Sequence, residues 1–312
     1  MRQGKGSDRK FREKTLRRII KLAALLVFII VVTELLDWAI EDEGSWRPDY
    51  PKIDLGPILS KVELTGANDP GAGHSLTDED YHTIFLQTGL GRPAVDKLLS
   101  EHAGLAERIR VFERYQENFF SSGSYECRLS AWIVHDERIR DKDGKLRKGF
   151  EIPDIRNGDI FITKATHSLG WRHGHAAIVT DAEKRETLEA ILLGNPSVFQ
   201  KVEKWQTYPS FIHLRLKDEN ADTEGIAEFA KANLLDIPYG LLTGIPEKEP
   251  DTVKKTQCSH VVWYPYKRFG YDLDSDGTWL VTPKDIANSD LLEVIQVYGV
   301  NPEEIWPGNL PF

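Results

Sequence analysis

Cysteine and methionine are scarce in this 312-residue chain, which has two of the first and one of the second. Two cysteines cannot build a disulfide framework or fill a four-thiolate zinc site. Pairing of Cys127 with Cys258 in an oxidising compartment stays open from sequence alone. Internal repeats and low-complexity tracts are absent, and hydrophobic content of 40% with charged content of 29% describes a folded protein of one large domain or two small ones. Acids outnumber bases outside the first 21 residues. These carry nine Lys/Arg against two acids, so a net charge of -9 leaves -16 on the rest. Phosphate neutralisation needs clustered Lys/Arg, and an acidic body argues against nucleic acid as a partner.

Long apolar runs are also few, and the longest, Leu22 to Val32 ("LAALLVFIIVV"), follows the basic head of residues 1–21 directly. A signal peptide and a membrane anchor both fit this pattern. No small-x-small cleavage site follows in "TELLDWAIEDEG", so residues 22–40 read as an uncleaved anchor. Counted from Ile19 to Leu36, the stretch approaches the roughly 18 to 20 residues that a span requires, with Lys21 placed to snorkel. Positive charge stays cytoplasmic, so a single-pass cell-membrane protein with an extracytoplasmic body is expected.

Residues 41–76, rich in Pro, Gly and Asp, read as a linker or extended arm, with the folded domain over 77–312. Thr77 caps a helix, with Asp80 three residues on and Gly89 as its stop. A second helix is expected from Pro93 to Gly104 and a third from Leu105 to Phe120. Beyond Tyr125, β-branched and aromatic runs alternate with turn signals. "SAWIVH" and "GFEIPD" flank an Asp-Gly turn, and "GDIFITKA", "HAAIVT", "TLEAILLG", "SVFQKV" and "FIHLRLK" are the clearest strands. A helix over Asp222–Leu235, a helix beginning at Cys258 and an irregular tail complete an α+β reading, an antiparallel sheet with packed helices.

Cys258 opens its helix, where unpaired N–H groups and the macrodipole favour a thiolate. A catalytic thiol also needs a base and a group to orient that base. His175, at the start of an apolar strand, supplies the first, and His173 is its rival. Glu189, an acid inside the apolar run "ETLEAILLG", can accept from the imidazole if the two strands pair. A metal reading gathers His167, His173, His175, Cys258 and His260, at spacings that match no standard zinc signature. "DLDSDG" opens like a calcium loop, but Pro283 stands where an EF-hand needs its bidentate Glu. Neither metal nor cofactor is expected.

In this order, "NGDIFITKATHSLGWRHGHAAIV", "LEA", "IPYG", "QCSHVVW" and "DLDSDGTWLVTPKDI" resemble the circularly permuted branch of the NlpC/p60 papain-like superfamily, in which the His strand precedes the Cys helix. The resemblance covers roughly Tyr81 to Ile295. It implies a permuted papain-like fold and a thiol hydrolase with Cys258 as nucleophile, His175 as base and Glu189 as third polar residue. It also implies that Tyr239 lines the site, with His173 and Trp171 beside it for substrate. Two departures stand out: "CSH" replaces Cys-Ser followed by Glu, Lys or Gln, and Pro265 should disturb the helix after two turns. The implied substrate is an amide of a cell-wall peptide in a bacterial envelope. A lipid-linked acyl group, cleaved or transferred, is the alternative, and a non-catalytic peptide-binding module is another.

Overall fold

The chain's computed structural model describes residues 4–39, 45–62, 76–121, 125–131, 134–241, 243 and 252–306. Helix α1, Gly4–Ala39, contains the stretch Lys14–Leu36, long and apolar enough to cross a membrane. At 1.5 Å per residue those 23 residues reach about 35 Å, against a hydrocarbon core of about 30 Å. The helix takes in the basic head from Gly4 onward, because no helix breaker follows Gly6.

Within the 41–76 segment, residues 45–62 lie against the body. Trp46 N–H donates to Gly299 O, Tyr50 Oη donates to Leu86 O, and the short helix α2, Gly56–Leu59, buries Leu59. Residues 63–75 lie outside the described residues. Helix α3, Asp78–Thr88, has the expected capping box between Thr77 and Asp80 and ends at Gly89 with φ +71°. Helix α4 spans Arg92–Glu101, ending earlier than expected, and α5 spans Leu105–Phe120 as expected. With α2 and Ile295, these helices share one core.

A three-stranded sheet orders as β1 (Tyr125–Ala131), β2 (Val134–Ile139) and β4 (Thr166–His167). "SAWIVH" is therefore split between two strands, with Ser130 and Ala131 closing β1 and Val134 opening β2. Residues 132–133 lie outside the described residues. The Asp143-Gly144 turn forms, with Gly144 at φ +75°. "GFEIPD" is not a strand. Its backbone bonds to side chains instead, with Gln206 Nε2 donating to Phe150 O and Gln296 Nε2 to Glu151 O, while Phe150 and Ile152 are buried.

The main sheet has six antiparallel strands in the order β7-β6-β5-β3-β8-β9. They are β3 (Ile160–Thr163), β5 (His175–Asp181), β6 (Glu186–Glu189), β7 (Val198–Lys201), β8 (Phe211–Leu216) and β9 (Leu292–Tyr298). On one face Ile160, Ile162, Ala176 and Ile178 pack with helices α6 (Thr223–Leu234) and α7 (Cys258–Arg268). On the other, Phe161, Ala177 and Val179 pack with Trp205 and Tyr298. Both faces are covered, so β3 and β8 are buried along their whole length and lack polar alternation. The irregular tail expected after α7 is corrected: it contains helix α8, Pro283–Ala287, and β9, which pairs with β8 from Leu292 to Tyr298. The result is an α+β architecture of antiparallel sheet with packed helices, preceded by α1.

Candidate active site

Cys258 is the first residue of α7, and what precedes it is held rigidly. Thr256 bridges Tyr239 in parallel, its N–H donating to Pro238 O at 3.0 Å and its carbonyl accepting from Gly240 N–H at 2.8 Å. Gln257, with extended φ of -140°, is the N-cap. Its Nε2 donates to Val281 O at 3.2 Å, and its Oε1 accepts from Ser259 Oγ at 3.0 Å. The thiol of Cys258 thus sits where the first-turn N–H groups of a helix lack intrahelical acceptors. Pro265 does not stop this helix, which continues to Arg268. Every side chain from Cys258 to Tyr266 is buried, and tertiary packing outweighs the one backbone bond that proline removes.

His175 opens β5. Gly174 before it has φ +71°, and a Cβ there would stand 2.7 Å from Thr163 O and 2.5 Å from Trp306 Cη2. Only glycine fits that approach, which ends the strand and fixes where the imidazole begins. The Cys258 thiol lies near enough to the His175 imidazole to raise its pKa, and its Sγ is 3.7 Å from Gln257 Oε1. His175 Nε2 lies 2.9 Å from Glu189 Oε2. Trp205 stacks on the ring with centroids 5.5 Å apart and 7° between planes.

Glu189 is fully buried at the end of β6. Its Oε2 also takes Lys204 Nζ at 2.5 Å, while Oε1 accepts from Thr187 Oγ1 at 2.8 Å and Trp205 Nε1 at 2.9 Å. Burial pushes this carboxyl up, but the Lys204 charge and the His175 contact prevail and hold it well below the ordinary carboxylate range. For His175 the balance runs the other way. Burial opposes the charged ring, yet hydrogen bonds to Cys258 and Glu189 and the attraction of both raise its pKa above the usual histidine value. The arrangement is a buried carboxylate on the imidazole Nε2 and a thiol near the same ring. It can move a proton from sulfur to the ring and hold the resulting cation.

Of the other residues expected at the site, Tyr239 lies close to Cys258. Burial first, then a thiolate charge at Cys258, raise its phenol pKa. His173 stands outside β5, in a loop, with Nε2 3.1 Å from Ser168 Oγ and Nδ1 2.8 Å from Gly174 O. Trp171 meets His173 edge-on and is exposed. The histidines of the metal reading are dispersed: His260 Nδ1 is 3.0 Å from Thr256 Oγ1, and His167 belongs to another cluster. Asp274, Asp276 and Asp285 bring carboxylate oxygens within 4.8 Å of one another, and Pro283 serves as the first residue of α8. Lys204, Trp205 and Thr187 escaped sequence reasoning. The first two stand on the 3-10 helix Val202–Thr207, and nothing local in "VEKWQT" announces that it folds over Glu189.

The other cysteine also has a histidine and a glutamate nearby. Cys127 on β1 is the cross-strand partner of Glu137, and its Sγ lies 3.4 Å from His167 Nε2. The same Nε2 is 3.4 Å from Glu137 Oε1, which pairs with Arg172 at 2.8 Å. Both cysteines are free thiols.

No protein-family model matches this chain, and a search of curated proteins finds no match. Among solved structures the chain is similar to the metalloprotein yiiX (DUF1105) from Escherichia coli O157:H7. The identity is 17%, with 45% of this chain and 96% of that chain covered at a TM-score of 0.34.

Proposed function

We propose that this chain is a membrane-anchored cysteine hydrolase with a permuted papain-like domain on the extracytoplasmic side, working through Cys258, His175 and Glu189. The buried Glu189–His175 pair near Cys258, with the thiol at a helix N-terminus, is the observation that carries this reading. In the proposed reaction His175 Nδ1 takes the thiol proton, and Cys258 Sγ attacks the carbonyl carbon of an amide. The N–H of Cys258, lying in the first turn of α7, stabilises the developing oxyanion. The imidazolium then gives its proton to the leaving amine, and a thioester remains on Cys258. Water, deprotonated by the same ring, attacks the thioester and releases the acid and the thiol.

Glu189 keeps a proton on Nε2 and supports the charged ring, while Lys204 offsets the carboxylate so that the acid stays ionised when buried. A cell-wall peptide of a bacterial envelope is the substrate class first expected, with a lipid-linked acyl group as the second. Incubation of the full chain with envelope extract, followed by mass spectrometry of the Cys258 peptide, tests the reading. An acyl adduct on Cys258 is expected, and a Cys258 that stays unmodified while His175 is intact counts against it.

A further inference from the structure

The last turns of α1 touch the body at two places, and both bring exposed apolar residues with them. Glu34 Oε2 is 3.5 Å from Nε2 of His135 on β2, and Thr33 is buried although nearly all of the span is not. Leu36 Cβ lies 3.0 Å from where a Cβ on Gly170 would stand. Leu36 ends the membrane-length stretch, so whatever touches it stands at the level of a lipid–water interface.

The Gly170 contact belongs to a tight two-residue turn. Ser168 and Trp171 exchange N–H to O bonds of 2.9 Å, and the central residues have φ +56° at Leu169 and +74° at Gly170. Such a turn wants Asn-Gly at its tip, and leucine is disfavoured in the left-handed region. The turn presents apolar side chains to the outside: Leu169 is 47% exposed and Trp171 46%. Beside them on the β1–β2 hairpin, Leu129, the cross-strand partner of His135, is 55% exposed. Trp38, two residues past Leu36, is exposed as well.

We infer that the Ser168–Trp171 turn and the β1–β2 hairpin at Leu129 form a foot seated in the lipid–water interface of the bilayer that α1 crosses. Continuity with the apolar span names the occupant: residues held against Leu36 and Glu34 cannot leave that surface without detaching from α1. Tryptophan and leucine are the side chains that such an interface takes. The turn leads within four residues to His175, so the foot also fixes the height of the site above the membrane and opens it to a bilayer-resident substrate. The inference rests on the anchor reading of α1, and it is independent of the thiol chemistry.

Full-length protein in phosphatidylcholine vesicles tests it, in a Cys127→Ser, Cys258→Ser background labelled with an environment-sensitive fluorophore at Leu169→Cys or, as reference, at exposed Asn220→Cys. The Leu169 label is expected to emit further to the blue and to be quenched by a shallow nitroxide lipid, and the Asn220 label to do neither. Equal exposure to water at both positions, in protein that resists alkaline carbonate extraction, overturns the inference alone. A blue shift without lipid quenching assigns the patch to a protein contact and also overturns it. Loss of the chain from vesicles in carbonate overturns the anchor reading and the foot together. Alkylation of Cys258 in detergent-solubilised wild type reads the thiol chemistry separately from all three outcomes.

Discussion

Cys258 and Cys127 each stand near a histidine that contacts a buried glutamate, and the two sets differ in what holds the glutamate and in the backbone that carries the cysteine. At Cys258 the glutamate holds His175 Nε2 at 2.9 Å and is itself held by Lys204, Thr187 and Trp205. At Cys127 one nitrogen, Nε2 of His167, faces both the sulfur and Glu137 at 3.4 Å. Backbone context differs as well. Cys258 begins a helix, whereas Cys127 lies within a strand, where no macrodipole favours a thiolate. Residue types are equal in the two places, and the distances and the backbone setting differ.

The largest expected effect comes from exchanging sulfur for oxygen in each set. Cys258→Ser should abolish acyl-adduct formation and lower turnover by at least about 10³-fold with the fold intact by circular dichroism. Cys127→Ser should leave both close to wild type. Comparable losses at the two positions would erase the distinction between them.

The histidines come next, read by the rate of iodoacetamide alkylation at Cys258 as a function of pH. His175→Ala should cost about 10² to 10⁴-fold in turnover and move the alkylation profile to higher pH, since the imidazolium that stabilises a thiolate is gone. His167→Ala should leave that profile in place. A wild-type profile in folded His175→Ala protein would remove the Cys–His pair from the mechanism.

Replacing the glutamates separates orientation from stability. Glu137→Gln removes the charge opposite Arg172 at 2.8 Å and should cost about 3 to 5 kcal/mol in urea denaturation without touching alkylation. Glu189→Gln should lower turnover about 10 to 100-fold, as is usual for a group that orients a working imidazole. It should also move the alkaline limb of the pH–rate profile to lower pH. The sign follows from the raised His175 pKa: the charged ring is complete below its ordinary value of about 6.5 and is lost as pH rises through the folded value. Without the carboxylate that folded value falls. An unmoved alkaline limb would deny Glu189 its part.

The smallest effect is expected at His173, which is tied to Ser168 and to Gly174 O. His173→Ala should leave the alkylation profile where it is, and a shift there with none in His175→Ala would exchange the two histidines.

Legibility in the sequence followed the range of the interaction involved. Thr77, Asp80 and Gly89 bound α3 because cap and stop act within one helical turn, and the apolar span of α1 reads from composition alone. The strand that begins at His175 and the helix that begins at Cys258 were equally readable, since glycine before one and an apolar run after the other are local signals. Tertiary structure alone decided that β9 completes the sheet, that α7 runs through Pro265, and that Lys204 and Trp205 close over Glu189. It alone also brought Cys258 near His175 and set the carboxylate of Glu189 against the ring's Nε2. Those contacts join segments far apart in the chain, where packing and burial choose partners that no local periodicity encodes.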